Sequence, residues 1–307
     1  MSASETIRDH TRFARVRQRL EEYTPAPGWP AWLYEFALIG FKQGWACLFG
    51  VLMLALLLTT HLFYPANAAL ARYDFLTLAA LAIQLAMLGF RLETLNEAKV
   101  ICAFHVVGTV MELFKTSAGS WLYPEPSLLR IGDVPLFSGF MYAAVGSYIA
   151  RVWRICDFRF EPYPKAPWPQ LLAVAIYVNF FAHHWLPDVR LALFALLGLL
   201  FWRTRIYFTV WRKPRWMPLL LGWFLVALFI WFAENLGTFA RAWTYPDQTE
   251  AWSPVSPAKL GAWYLLMYIS FVLVAAVHGP RARDAAQSKL YASSTSPQRR
   301  PATTSGT

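Results

Sequence analysis

ELFKTSAGSWLYP, residues 112–124, and ENLGTFARAWTYP, residues 234–246, decide the architecture. Laid over each other without a gap at a shift of 122 residues, they match Glu112 with Glu234, Thr116 with Thr238, Ala118 with Ala240, Trp121 with Trp243, Tyr123 with Tyr245 and Pro124 with Pro246. Six identities in thirteen positions stand against about one expected from composition. The same shift brings Pro135 onto Pro257, Gly139 onto Gly261, Tyr142 onto Tyr264, His61 onto His183 and Pro65 onto Pro187. The chain reads as a tandem duplication.

Around these stretches the composition is 57% apolar and 17% aromatic with 15% charged residues, too little polar surface to coat a soluble globule of this length. Runs long enough to span a bilayer lie near Gly44 to Phe63, Phe75 to Phe90, Ala98 to Thr116, Val134 to Cys156, Trp168 to Leu186, Val189 to Trp202, Trp216 to Leu236 and Ala258 to His278, the second and sixth being short. The expected fold class is therefore all-α: a polytopic membrane protein of about eight transmembrane helices, arranged as two four-helix repeats. With a cytoplasmic N-terminus, inner segments hold 22 of the 28 Lys and Arg, and outer segments hold Arg72, Lys115, Arg130, Arg190, Arg241 and Lys259. That asymmetry places both termini inside. The shift carries span one onto five, three onto seven and four onto eight, so the repeats are parallel and their equivalent positions face each other about an axis along the membrane normal.

The expected layout is a basic cytoplasmic lead-in over residues 1–32, repeats over 33–157 and 158–280, and a disordered Ser/Thr/Pro-rich tail over 281–307. Within the lead-in, Glu5 to Glu22 reads as a basic amphipathic helix on anionic lipid or as a solvated helix; no cleavable signal peptide is visible. Cys47, Cys102 and Cys156 form neither a disulfide framework nor a zinc pattern. The net charge of +10 is spread between apolar segments, which points to membrane lipid as partner and away from nucleic acid.

Glu112 and Glu234 become the candidate acid and base, because a carboxylate inside a membrane helix is costly and faces a cavity or a partner. His105, Thr109, Glu112 and Thr116 share one helix face; the second copy places Glu234 and Thr238 there, with Asn235 adjacent. His61 and His183 close spans one and five, with Asn179 and His184 near His183. Acid/base work by these groups is one reading. Structural pairing of the glutamates, with loop amides or with Lys115 and Arg241, is the other. No metal site is expected, since the His and Glu spacings match no known ligand pattern. Trp121/Tyr123 and Trp243/Tyr245 read either as interfacial anchors or as lids over an apolar or cationic reactant.

The stretch FHVVGTVMELFKTSAGSWLYPEPSLLRIGDVPLFSGFMYAAVGSYIARVWR, residues 104–154, with EAK at 97–99 and FAENLGTF at 232–239, resembles a bacterial integral-membrane family known as domain of unknown function 817, over about Trp32 to His278. That resemblance implies a multi-pass protein of the bacterial inner membrane and no activity. Glu112, Gly119, Trp121, Tyr123, Gly132, Val134, Pro135 and Leu136 are similar to elements of membrane lycopene cyclases and carotenoid hydratases. The acidic pair expected after Pro-Leu is replaced by Phe137 and Ser138, which puts cyclisation in doubt and leaves acid-catalysed chemistry on an isoprenoid as the implication. The functional expectations are an enzyme acting on a hydrophobic small molecule, a small-molecule or proton-coupled transporter using the same carboxylates, or a structural membrane partner. Cofactor and oligomeric state stay open.

Overall fold

Long apolar runs interrupted by proline, glycine and charge fold, in a computed structural model, into a mostly helical chain. It describes residue 19, residues 22–212 and residues 214–278, apart from the side chains at 95, 96 and 278. The expected lead-in helix, apart from residues 19 and 22, and the tail beyond position 280 lie outside these residues. Nine α-helices are described: α1 (Trp29–Ala46), α2 (Leu48–Phe63), α3 (Arg72–Gly89), α4 (Leu95–Ser117), α5 (Phe137–Cys156), α6 (Trp168–Ala182), α7 (Arg190–Phe201), α8 (Leu219–Phe239) and α9 (Ala258–His278). Glu97–Ser117, Leu219–Phe239 and Ala258–Val277 are long and apolar enough to cross a membrane. The pair α1 and α2, bent by 69° at Cys47, qualifies jointly as a broken fourth span, and α6 and α7 are shorter apolar helices.

Three expectations need amending. The run from Gly44 to Phe63 contains the break at Cys47, so it is not one straight helix. The run from Val134 starts as a strand, because β1 (Arg130–Ile131) and β2 (Val134–Pro135) pair about a turn in which Gly132 takes φ +58°. The all-α class also omitted an antiparallel sheet, β3 (Arg159–Glu161), β4 (Arg205–Thr209) and β5 (Pro214–Pro218). It caps the end of the bundle where α5 and α7 finish. Phe160, Ile206 and Phe208 are buried there, with Phe160 packing on Trp153 and Phe271 at 4.9 and 5.1 Å between ring centroids.

Helix α4 starts with a reciprocal cap, in which the Thr94 amide donates to Glu97 Oε2 (2.6 Å) and the Glu97 amide donates to Thr94 Oγ1 (3.3 Å). It packs most extensively on α5. Gly139 admits His105 and Gly146 admits Phe104, each at a distance that a Cβ would forbid.

At the opposite end from the sheet, polar side chains hold the loops down. Buried Asp74 accepts from the Ser127 hydroxyl (2.7 Å) and from the amides of Leu128 (3.0 Å) and Leu129 (2.7 Å). Arg72 grips Glu125 at 2.7 Å and donates to the carbonyls of Ala240 and Arg241, both at 3.0 Å. Asp74→Ala leaves three donors without an acceptor. We expect it to lower stability by about 1–3 kcal/mol, read as an earlier thermal transition in detergent.

Candidate functional site

Helix α4 ends in a turn that reverses the chain. Gly119 adopts φ +69°, the Ser120 amide donates to the Lys115 carbonyl (2.9 Å), and the following residues run back across the helix end. Trp121 and Tyr123, alternate residues of an extended segment, point to the same side. Both reach Glu112: Trp121 Nε1 and the Tyr123 hydroxyl donate to Oε2 at 2.8 and 2.7 Å. The Tyr142 hydroxyl, from α5, donates to Oε1 at 2.6 Å. Glu112 is buried and its oxygens are occupied by three neutral donors.

Tyr142 comes this close because α4 carries Gly108, where a Cβ would lie 2.8 Å from Tyr142 Cγ and 2.9 Å from its Cβ. Those are inner atoms of a ring side chain with little freedom to yield. Gly108→Ala is expected to push Tyr142 off Glu112 and cost about 1–3 kcal/mol as overpacking, measurable as a lowered melting temperature.

Glu234, buried on α8, is held comparably. It accepts from the Tyr245 hydroxyl and from Trp263 Nε1, the latter at 2.5 Å. Here Arg241 makes the turn with φ +52°, and Trp243 lies against Gly237, whose missing Cβ leaves it room. The returning segments meet: Leu122 and Thr244 exchange backbone hydrogen bonds of 3.0 and 2.9 Å. Trp121 and Tyr245 are edge to face at 6.2 Å between centroids, and Tyr142 and Trp263 are 6.5 Å apart. Lys259 Nζ sits 4.0 Å from the Tyr245 ring centroid and 5.7 Å from that of Trp121. The two carboxylates are therefore joined by one aromatic wall.

Below that wall runs an apolar cleft between helices α4, α5, α6, α8 and α9, lined by Phe104, Met111, Val145, Ile230, Leu266 and Leu273 among others. Tyr142 and Trp263 also line it, so each carboxylate has one donor whose ring faces the cleft. Burial, then the negative charge of Glu112, pushes the Tyr123 hydroxyl well above its ordinary pKa. Burial, then Glu234, does the same to Tyr245. Both remain protonated donors across the physiological range.

The remaining candidates lie around this centre without touching the carboxylate oxygens. Thr116 Oγ1 donates to the Glu112 carbonyl at 2.7 Å. His105 packs on Phe140 and, with Thr109, against Gly139 in the α4/α5 interface. His61 packs edge to face on Phe239. His183 Nδ1 lies 3.1 Å from the Asn179 carbonyl and its ring lies on His184, whose Nε2 is 3.0 Å from Lys115 Nζ. Asn179 donates to Asp188, Asn235 accepts from the Val255 amide, and Thr238 accepts from Trp252. Among the described residues the side-chain partners of Glu112 and Glu234 are Trp121, Tyr123, Tyr142, Tyr245 and Trp263, with neither Lys115 nor Arg241 among them. Among the described residues no group of three or more His, Cys, Asp and Glu is placed to hold a metal ion.

Three participants escaped the sequence reading. Tyr142 carried a usable signal, its repetition at Tyr264, yet Tyr264 donates to the Leu220 carbonyl instead (3.2 Å). Trp263 carried none, because Met141 stands at the position 122 residues earlier. Lys259 showed only as an outer positive charge.

Comparison with known proteins places this site inside a matched region. The family described as "Protein of unknown function (DUF817)" matches residues 35–271. The uncharacterized protein YoaT of Bacillus subtilis (strain 168) is 42% identical over 238 residues, 78% of this chain and 89% of that protein. Neither match is to a lycopene cyclase or a carotenoid hydratase. No solved structure matches.

Proposed function

We propose, from the premise that the chain belongs to the DUF817 family of proteins of unknown function, that it is a multi-pass inner-membrane enzyme moving protons on a lipid-soluble, isoprenoid-like substrate near the outer leaflet. One observation carries this reading: Tyr142 and Trp263 each line the apolar cleft while donating to Glu112 and Glu234. Tyr142 can pass a proton between its hydroxyl and Glu112, whereas the Trp263 indole only donates. In this reading Glu112 with Tyr142 serves as the acid. Glu234, with the faces of Trp263 and Tyr142, offsets positive charge that develops on the substrate.

The same proposal includes eight spans in two parallel repeats with both termini inside. Its support is the Leu122–Thr244 pairing, which links residues related by the 122-residue shift, and the gathering of the 118–136 and 240–257 loops at one end. Extracted lipids and pigments from cells carrying the wild-type chain or Glu112→Gln test the enzymatic reading. A substrate that accumulates with the variant supports it; identical profiles at equal expression, with no turnover in membranes, contradict it.

A transporter reading draws on a different observation. The α1/α2 break at Cys47 lies beside the buried Arg151, which donates to the Trp45 carbonyl (3.3 Å) and pairs with Glu93 (3.1 Å). Broken helices beside buried charge are common in transporters. Substrate-dependent proton flux in proteoliposomes would favour it over the enzyme.

A further inference from the structure

The helices that form the apolar cleft carry basic groups at its outer end. On α4, Lys115 stands four residues beyond Met111, on the same face. On α9, Lys259 stands four residues before Trp263. Just past α6, His184 is seven residues beyond Tyr177, two turns on. Met111, Trp263 and Tyr177 all line the cleft. The positive charges of Lys259 and Arg190 act on Lys115, and Arg190 also acts on Lys259, while Asp188 offsets part of this at Lys115 and Glu234 and Asp247 at Lys259.

These cations are not balanced by neighbouring acids in contact. Asp188 pairs with Arg190 at 3.1 Å, and Glu234 is held by Tyr245 and Trp263. Among the described residues neither Lys115 nor Lys259 has a carboxylate within salt-bridge distance. Lys115 is 3% exposed, hydrogen-bonds His184 and lies over the Phe180 ring at 4.2 Å. Lys259 lies over the ring faces of Tyr245 and Trp121. An ammonium has three donors, so Lys115 and Lys259 can each donate to the oxygens of an anion lying between them. Keeping two cations together, one of them buried and with acids acting only from beyond contact distance, favours an anion shared between them.

We infer that the cleft binds an amphiphile with a phosphate headgroup, the phosphate resting against Lys115, Lys259 and His184 and the hydrocarbon tail extending between Met111, Tyr177 and Trp263. Two ammonium groups suit a phosphate monoester carrying close to two negative charges better than a singly charged carboxylate. The inference rests on the proposed lipid-soluble substrate and specifies its headgroup.

Equilibrium binding of tritiated farnesyl phosphate to the purified full chain in neutral-lipid nanodiscs tests it. We expect saturable binding, at least about tenfold weaker competition by farnesol, and none by inorganic phosphate in large excess. Lys115→Gln and Lys259→Gln should each weaken farnesyl phosphate by about tenfold or more while leaving farnesol unaffected; Lys→Arg at each position should restore binding and confirm folding. Equal affinity for farnesol and farnesyl phosphate, insensitivity to both Gln variants, or full competition by inorganic phosphate overturns the inference. The two readings fail separately. Binding retained by Glu112→Gln with no conversion in any form sustains the headgroup site and removes the enzyme, whereas conversion of farnesol without binding of its phosphate sustains the enzyme and removes the headgroup site.

Discussion

Glu112→Ala is expected to destabilise the protein by about 3 kcal/mol or more, since each donor left without an acceptor in a buried site costs about 1–3 kcal/mol and three are orphaned together. Trp121, Tyr123 and Tyr142 converge on this carboxylate from a loop and from α5. It therefore ties the 118–136 loop to two helices. Glu112→Gln keeps one acceptor oxygen and turns the other into a donor, so it should lose less stability than Ala while losing the acid function, about 10²–10⁴-fold in turnover. Thermal unfolding of both variants in detergent checks the order. Equal stability of Ala and wild type would mean that these hydrogen bonds carry no load.

The second large effect lies at the other end of the bundle. Arg151 and Glu93 form a pair with both side chains fully buried, and Ser147 Oγ donates to the same Glu93 oxygen at 2.6 Å. Glu93→Ala strands a guanidinium in the interior and should cost about 3–5 kcal/mol. Replacing both partners, Glu93→Leu with Arg151→Met, removes the charge as well as its partner, so the double variant should be more stable than the single one. Chemical denaturation of the two variants decides this. A double variant less stable than Glu93→Ala would show that the pair contributes more than mutual neutralisation.

Parts of this arrangement were legible in the sequence for local reasons. Trp121 and Tyr123 follow Glu112 by nine and eleven residues across a single helix end, so a turn at Gly119 suffices to bring them back. The matching spacing from Glu234 pointed to Tyr245 for the same reason. Tyr142 and Trp263 approach from neighbouring helices, through contacts that depend on packing, such as the gap at Gly108. Sequence spacing does not encode that approach.

His61, His183 and His184 stand at or just past helix ends at the level of the carboxylates, yet shared depth does not fix distance. His61 packs on Phe239 and His184 turns to Lys115. The sheet is hidden in the sequence because Arg205, Arg215 and the prolines bounding β5 read as an inner charged loop, although Ile206 and Phe208 alternate inward. The bend at Cys47 falls within a continuous apolar run, where no proline or glycine at the break signals it.

The central claim is that Glu112, through Tyr142, exchanges a proton with a molecule held in the apolar cleft. Its most direct test incubates membranes containing the wild-type chain, Tyr142→Phe or Glu112→Gln with a candidate isoprenoid in D2O and reads deuterium at carbon by mass spectrometry. The account predicts incorporation with the wild-type chain and loss of it in both variants. Equal labelling in all three, or a wild-type chain that converts the isoprenoid without taking up deuterium, would contradict it.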